Sequence, residues 1–404
     1  MNTFGKNFKV GIFGESHGEA IGVVIDGVKA GMPLSKEDFM EDILRRKSGA
    51  KGTTPRVESD EPEILSGIYE GHTTGAPIAI IFRNSNTRSS DYEALKEVPR
   101  PGHADFTASV KWNGFNDPRG GGHFSGRLTL PLVAAGVIAK KQCGFSFKAD
   151  LTEIGGETDK AKWPELLDAT AKEGDSIGGI VECRVDGVPA GLGEPFFDSV
   201  ESLISHAVFS IPGVRGIEFG DGFAASRLHG SEHNDPLTYH SGSLTAEASS
   251  GGPTASPCSE SPVANDSEQA SGLASPDRSH PRLVRGRGPL AERVGGAERS
   301  EESGLSEPDA SFEVVLPKKN GAGGVNGGIT NGAPIVFRVA FKPTSSIAKT
   351  QRTLNIKTGE TVDLNVPGRH DVCFALRTPV IVEAVAAIVL ADLLRCQDTV
   401  LPRL

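Results

Sequence analysis

Two histidines near the start of the chain occupy glycine-bounded loops. His17 lies in Gly14–Glu15–Ser16–His17–Gly18, directly after an apolar run, and His103 lies in Arg100–Pro101–Gly102–His103–Ala104–Asp105. Neither sits on the apolar face of a helix, so core packing accounts poorly for either. Imidazole titrates near neutral pH and serves as general acid or base. Arg369–His370–Asp371, late in the chain, offers further groups of the same kind. We expect the two histidine motifs to form one catalytic site.

Groups that could hold anions accompany them. Arg45, Arg46, Lys47 and Lys51 cluster at the end of a helix pattern. Two readings stand side by side: cations complementing a helix C-terminus, and a clamp in which Arg makes bidentate contacts to carboxylate or phosphate. Gly120–Gly121–Gly122–His123–Phe124–Ser125–Gly126–Arg127 precedes another helix, where backbone N–H groups suit an anion. It lacks the Gly-Lys-Ser/Thr ending of a Walker loop. Gly321–Ala322–Gly323–Gly324–Val325–Asn326–Gly327–Gly328 misses the dinucleotide fingerprint, because Asn326 stands where the third Gly belongs. Either run alone says little, and plain turns are the commoner explanation of both. There is no HExxH, GxSxG or CxxC motif, so zinc-protease, serine-hydrolase and zinc-site readings have no support, and no metal is expected.

Elements must position these groups. Phe8 to Phe13 reads as a strand feeding the His17 loop, and Ile21 to Val28 is a second apolar run. Ser35 to Lys47 reads as a helix with Ser35 as N-cap and Asp38 at capping-box spacing. Pro77 to Phe82 predicts a buried strand. Leu128 to Lys141 and Val200 to Phe209 predict helices. Ile180 to Val188 and Ile335 to Phe341 alternate as half-buried strands do. Pro379 to Leu394 is the longest helix pattern and is apolar nearly all round, which places it centrally in the core. Helices packed on largely antiparallel sheets, without repeating βα units, predict an α+β fold. Ser241 to Ala310 differs: 14 Ser, 9 Gly and 7 Pro in 70 residues, with no Phe, Trp or Tyr. Such a stretch buries too little apolar surface to offset its chain entropy. It reads as a disordered insertion, at about 241–310, in one domain spanning 1–404.

Composition narrows the class. The 404 residues are 37% hydrophobic, enough for a core, and carry a formal charge of −10, which argues against a nucleic-acid binder. Five cysteines, an odd number, read as reduced and intracellular. Met1 to Phe8 shows no signal-peptide pattern, and Glu383 and Asp392 interrupt the longest apolar stretch, so neither export nor membrane insertion is expected. The expectation is a soluble cytoplasmic enzyme acting on a small anion with histidine acid/base groups; residue types alone do not name the reaction.

The motifs taken together resemble chorismate synthase along nearly the whole chain outside 241–310. In order they are GESHG at 14–18, ESDEPEILSG at 58–67, NSNTRSSDY at 84–92, RPGHAD at 100–105 and DPRGGG at 117–122. After these come GDGF at 220–223, HGSEHND at 229–235, AGGVNGG at 322–328, KPTSSI at 342–347 and GRHDVC at 368–373. The resemblance implies a β-α-β sandwich with helices between antiparallel sheets, and a homotetramer. It implies 1,4-anti elimination of phosphate from 5-enolpyruvylshikimate 3-phosphate, with reduced FMN (FMNH2) from a flavin-reducing system and no net redox change. His17 would protonate the departing phosphate. His103 would protonate or hydrogen-bond the reduced flavin, and Asp371 would help remove the ring proton. Ser16, Arg46, Arg127 and Arg369 would hold substrate. His123, Phe124, Ser125, Gly327, Lys342, Pro343, Thr344, Ser345, Ser346 and Arg369 would touch flavin, and Arg46 and Lys51 stand near NADP-contact positions. The chain departs from the family at Lys47, at His123–Phe124 and at Val372. Two alternatives are a flavin- or anion-binding relative with impaired catalysis and a bifunctional enzyme with its own NADPH:FMN reductase activity.

Overall fold

The computed structural model describes residues 2–55, 58–85, 96–241, 313–366 and 370–400. The expected disordered insertion falls outside the described residues, as does Arg369. The helices are α1 (Met40–Arg46), α2 (Asp105–Lys111), α3 (Thr129–Cys143), α4 (Trp163–Lys172), α5 (Val200–Val208), α6 (Gly230–His233) and α7 (Pro379–Val400).

Alternating burial builds two antiparallel sheets. In Ile335–Phe341 every second residue is buried, and its register against Gly179–Asp186 runs from Ile335 opposite Val185 to Phe341 opposite Gly179. Flanked by Val214–Phe219 and Ser146–Ile154, these strands make a four-stranded sheet. The five-stranded sheet orders Thr3–Phe4, Lys9–Gly14, Ala20–Asp26, Ile78–Arg83 and Glu63–Ile64. Each sheet covers its own apolar cluster. Val23, Ile25, Ile80 and Phe82 pack with the α3 residues Leu130, Ala134 and Ile138. Val181, Val185, Phe337 and Val339 pack with the α7 residues Ile381, Val385 and Val389. The two helices therefore form the layer between the sheets, in the α+β arrangement expected from sequence. They approach so closely that a methyl group at Gly136 would lie 2.2 Å from the Ala384 Cβ.

The acids that interrupt α7 are structural anchors. Glu383 is 1% exposed; it accepts a bidentate pair from Arg45 (2.8 and 2.6 Å), and hydrogen bonds from Lys140 Nζ (2.7 Å) and the Ala149 amide (2.9 Å). Burial opposes its charge, but the bonds from Arg45 and the charge of Lys140 outweigh burial and hold the carboxyl below its ordinary range. Asp392 accepts the amides of Lys6, Asn7 and Phe8 at 2.6 to 3.0 Å. That fixes the entry of the strand that carries the His17 loop. The helix expected from Ser35 starts later, as a 3-10 turn, Glu37–Phe39, before α1; its cap position is Lys36 rather than Ser35 and carries no side-chain cap bond, while the Ser35 amide donates to Asp38 Oδ2 at 2.8 Å.

Candidate active site

The His17 loop is the hairpin between two paired strands, with Gly14 opposite Ile21. Gly14 has φ +95°, and a side chain there would strike the Ala20 carbonyl, so the turn needs glycine. Asn84 braces the loop through the carbonyls of Glu15 (3.1 Å) and Gly18 (2.9 Å), while its Oδ1 accepts from Arg127 Nε at 2.7 Å.

Gly120, Gly121 and Gly122 join this hairpin to the second histidine motif. All three have positive φ (61°, 83° and 54°). An added methyl group at Gly120 would lie 2.5 Å from His17 Cδ2 and 2.9 Å from Ser16 Oγ; one at Gly121 would lie 3.4 Å from His103 Nε2. Adjacent Cα atoms are about 3.8 Å apart, so the two imidazoles flank one glycine dipeptide. The Ser16 amide donates to the Gly122 carbonyl at 3.1 Å. The run, for which the sequence offered an anion cradle beside the commoner plain turn, thus acts as a side-chain-free spacer that lets both rings close in.

His103 is oriented by its own motif. Its Nδ1 stands 2.6 Å from Asp105 Oδ1. Asp105 also takes a fork from Arg100, Nε to Oδ2 at 2.7 Å and Nη2 to Oδ1 at 2.8 Å. Burial pushes the Asp105 carboxyl up, but the bonds from Arg100 and His103 overcome this and hold it well below the usual carboxylate range. An ionised Asp105 keeps a proton on Nδ1 and leaves Nε2 turned toward Gly121.

Both histidines line one cavity of about 1050 Å3. Seven Lys and Arg side chains and three carboxylates share its wall. Arg46 and Arg127 are 4% and 6% exposed and both ion-pair with Asp60. Arg46 also donates to the Gly126 carbonyl (2.9 Å) and Thr129 Oγ1 (3.2 Å). Burial, and then the like charge of Arg377, pulls its guanidinium down from the ordinary arginine range. Asp60 keeps a positive φ of 53° without being glycine, a strain of about 1–3 kcal/mol. Asp371 accepts from the Thr54 amide (2.9 Å) and from Arg377 Nη2 (2.7 Å), and its carbonyl accepts from Thr344 Oγ1. Burial and Arg100 lower the pKa of the adjacent His370.

The sequence-expected residues divide as follows. His17, His103, Asp371, Arg46, Arg127, His123, Phe124, Ser125, Lys342, Pro343, Thr344, Ser345 and Ser346 all line the cavity. Ser16 is buried beside His17. His123 Nδ1 donates to the Gly14 carbonyl at 2.8 Å, and its Nε2 lies 3.3 Å from Asn2 Oδ1. It therefore braces the glycine turn against the His17 strand. Phe124 packs on Trp112, with ring centroids 5.7 Å apart. Gly327 stands apart from the lining, because its hairpin packs at the start of α5, where the Val200 amide donates to Gly328. Lys51 lies outside the lining and pairs on the surface with Asp168 at 2.7 Å, whereas Arg46 lines the cavity. Sequence reasoning quoted the motifs holding Asp60, Asn84, Arg100 and Asp105 without assigning them, and missed Arg377. For Asp105 the signal was its place two residues beyond His103.

A sandwiched helix pair, two braced histidines and a cationic cavity define an α+β enzyme for a small polyanion. The sequence profile of the chorismate synthase family matches residues 8–264 and 286–394. A chorismate synthase of Chitinophaga pinensis is 52% identical over 394 residues, covering 97% of this chain and 96% of its own length. One from Korarchaeum cryptofilum is 38% identical over 419 residues, covering 97% and 96%. A crystal structure of chorismate synthase superposes with a TM-score of 0.61 at 23% identity, covering 98% of this chain and 93% of its own, a likeness of fold. The chain belongs to the chorismate synthase family. It is a carbon–oxygen lyase acting on a phosphate, in the shikimate route to aromatic amino acids, and the family implies a flavin and a small anionic substrate. Among the described residues no helix is long and apolar enough to cross a membrane.

Proposed function

We propose that this cavity removes phosphate from 5-enolpyruvylshikimate 3-phosphate by 1,4-anti elimination, with reduced FMN beside the substrate. The observation that carries the reading is the glycine dipeptide between His17 and His103, which puts two acid/base groups into one cationic cavity. The volume fits the pair of ligands: it stands at the upper end of the roughly 300–1,000 Å3 usual for one small-molecule pocket. The excess of cations over carboxylates suits two phosphates and two carboxylates. When bound, reduced flavin would lend electron density to the substrate ring as the phosphate leaves and regain it as the ring proton is lost.

The protein's own part follows from its donors. His17, held by Gly120 and Ser16, gives a proton to the leaving phosphate oxygen. Arg127 and Arg46 hold the substrate's anionic groups, with Arg369 as a further holder and Asp60 limiting their mutual repulsion. His103, aimed by Asp105 through its Nδ1–H, presents Nε2 as the acid/base and hydrogen-bonding atom on the flavin side. Asp371, aimed by Arg377 and the Thr54 amide, takes the ring proton. Phe124, Ser125 and the 342–346 segment border the flavin. Preorganised charges of this kind need no reorganisation as the phosphate leaves. A cytoplasmic homotetramer served by a separate flavin-reducing system completes the reading; the buried free thiols of Cys183 and Cys373 support a reducing compartment.

The test is anaerobic turnover of the phosphorylated substrate with chemically reduced FMN, followed by chorismate absorbance. Product formation is expected from the wild type, and losses of roughly 10²–10⁴ in kcat from His17→Ala and from His103→Ala. Near-normal rates in both variants would refute the assignment.

A further inference from the structure

A buried carboxylate sits between two buried arginines of the cavity wall. Arg127 Nη1 donates to Asp60 Oδ1, and Arg46 Nη1 stands 3.5 Å from Asp60 Oδ2. The other guanidinium bonds go to uncharged acceptors: from Arg127 to Asn84 Oδ1 and the Arg83 carbonyl, and from Arg46 to Thr129 Oγ1 and the Gly126 carbonyl. Among the described residues, Asp60 is the one carboxylate paired with either arginine. All three side chains line the cavity. Charge, not backbone, calls for aspartate here, because a φ of 53° suits glycine or asparagine as well. The same corner is tied to His17. Asn84, which accepts from Arg127, donates to the carbonyls of Glu15 and Gly18 that flank that histidine. Arg127 and the group that protonates the leaving phosphate thus belong to one braced unit.

Two buried guanidiniums facing one dianion would hold it tightly, yet phosphate is a product and has to leave. Asp60 opposes that retention. Its charge neutralises the arginines while the site is empty and repels a second anion brought against them. We propose that Asp60 is a resident competitor for the Arg46–Arg127 pair, which keeps the pair's hold on phosphate weak and so speeds release of the phosphate product. The proposal rests on the reading above that these arginines hold the substrate's anionic groups. It gives Asp60 an effect opposite in sign to that of a supporting counter-ion. A counter-ion that only aims the arginines improves anion binding; a competitor weakens it.

The experiment measures inorganic phosphate binding to the purified full chain by titration calorimetry, for wild type, Asp60→Asn, Asp60→Gly and Arg127→Gln. Asparagine and glycine both fit the positive φ at position 60, so two independent variants keep the backbone. Melting temperatures with and without phosphate establish that each is folded. Removing the carboxylate should tighten phosphate by about tenfold or more. Both variants should melt below wild type without phosphate and gain more than wild type from its addition. In anaerobic turnover, KM and kcat should fall together, phosphate should become a stronger product inhibitor, and the first-turnover burst should grow relative to wild type. Weaker or unchanged phosphate binding in both variants, or a raised KM, makes Asp60 a supporting counter-ion and overturns the proposal while leaving the arginine reading intact. Phosphate binding that Arg127→Gln leaves unchanged puts the phosphate elsewhere, and removes the arginine reading together with the proposal built on it.

Discussion

Asp105→Asn separates positioning from packing. Asp105 accepts four hydrogen bonds: two from the Arg100 guanidinium, one from the Arg100 amide at 3.1 Å, and one from His103 Nδ1. Its side chain is 8% exposed and that of Arg100 is 5% exposed. Removing the negative charge leaves a buried guanidinium without a full counter-charge, which costs about 3–5 kcal/mol. The amide keeps one acceptor, so the low end, about 3 kcal/mol, is expected, with a fall in Tm on the order of 5 °C. The pH dependence has a definite sign. The folded carboxyl titrates below its unfolded range, so its stabilisation is complete above that range and disappears as pH falls through the folded value. The stability gap between wild type and variant should therefore be flat from about pH 8 to 5 and narrow only below about pH 4.

The catalytic effect has a different origin. The amide would present N–H to His103 Nδ1, making that nitrogen an acceptor and moving the proton to Nε2. A general acid or base in the wrong tautomer forfeits roughly 10²–10⁴ in kcat. The assay is anaerobic turnover at saturating flavin, with FMN affinity measured separately. In a double-mutant cycle, Asp105→Asn should cost little more once His103 is already alanine, because both act through one ring. A variant with lowered Tm but kcat within about threefold of wild type would show that Asp105 only supports Arg100, and would refute the orienting role.

Three further outcomes follow from packing. Gly120→Ala places a methyl group 2.5 Å from His17 at a φ of +61°; turnover should fall by about 10² or more, with a loss of about 1–3 kcal/mol in urea unfolding, and an unchanged kcat would contradict the spacer reading. Glu383→Gln strips the counter-charge from Arg45 and Lys140 and should cost about 3–5 kcal/mol; calorimetry showing under about 1 kcal/mol would mean Asp42 alone suffices for both cations. Replacing 245–308 by a short Gly-Ser linker should leave kcat within about twofold. The flanks already meet, through the Lys318 amide to the Pro236 carbonyl (3.1 Å) and Thr238 Oγ1 to the Leu316 carbonyl (3.3 Å), and closure cost changes slowly with length; loss of turnover would show that the segment serves the site.

Local periodicity made much of the scaffold legible. Alternation located Ile335–Phe341, and all-round apolarity placed α7 between the sheets. Long-range choices were not legible, because side-chain direction depends on which faces the fold brings together. Arg45 and Arg46 are the clearest case. Read as a charge run, they were equally compatible with dipole complementarity and with an anion clamp. Consecutive helical residues point about 100° apart, so the fold separates them: Arg45 turns to Glu383 in the core layer, and Arg46 turns into the cavity toward Asp60. Glu383 and Asp392 tell the same story from the other side. As breaks in an apolar run they argued only against a membrane span. In the folded chain one neutralises the cations on α1 and α3, and the other gathers the amides before the His17 strand. The glycine turn has the least local signature of all. Its residues carry no side chains to read, and their function is the absence of those side chains where two histidines converge. Gly120 and Gly121 therefore set how closely the acid/base groups approach, while Asp105, Asn84 and Asp60 set how they and the arginines are aimed, and this division is what the Gly120→Ala and Asp105→Asn measurements separate.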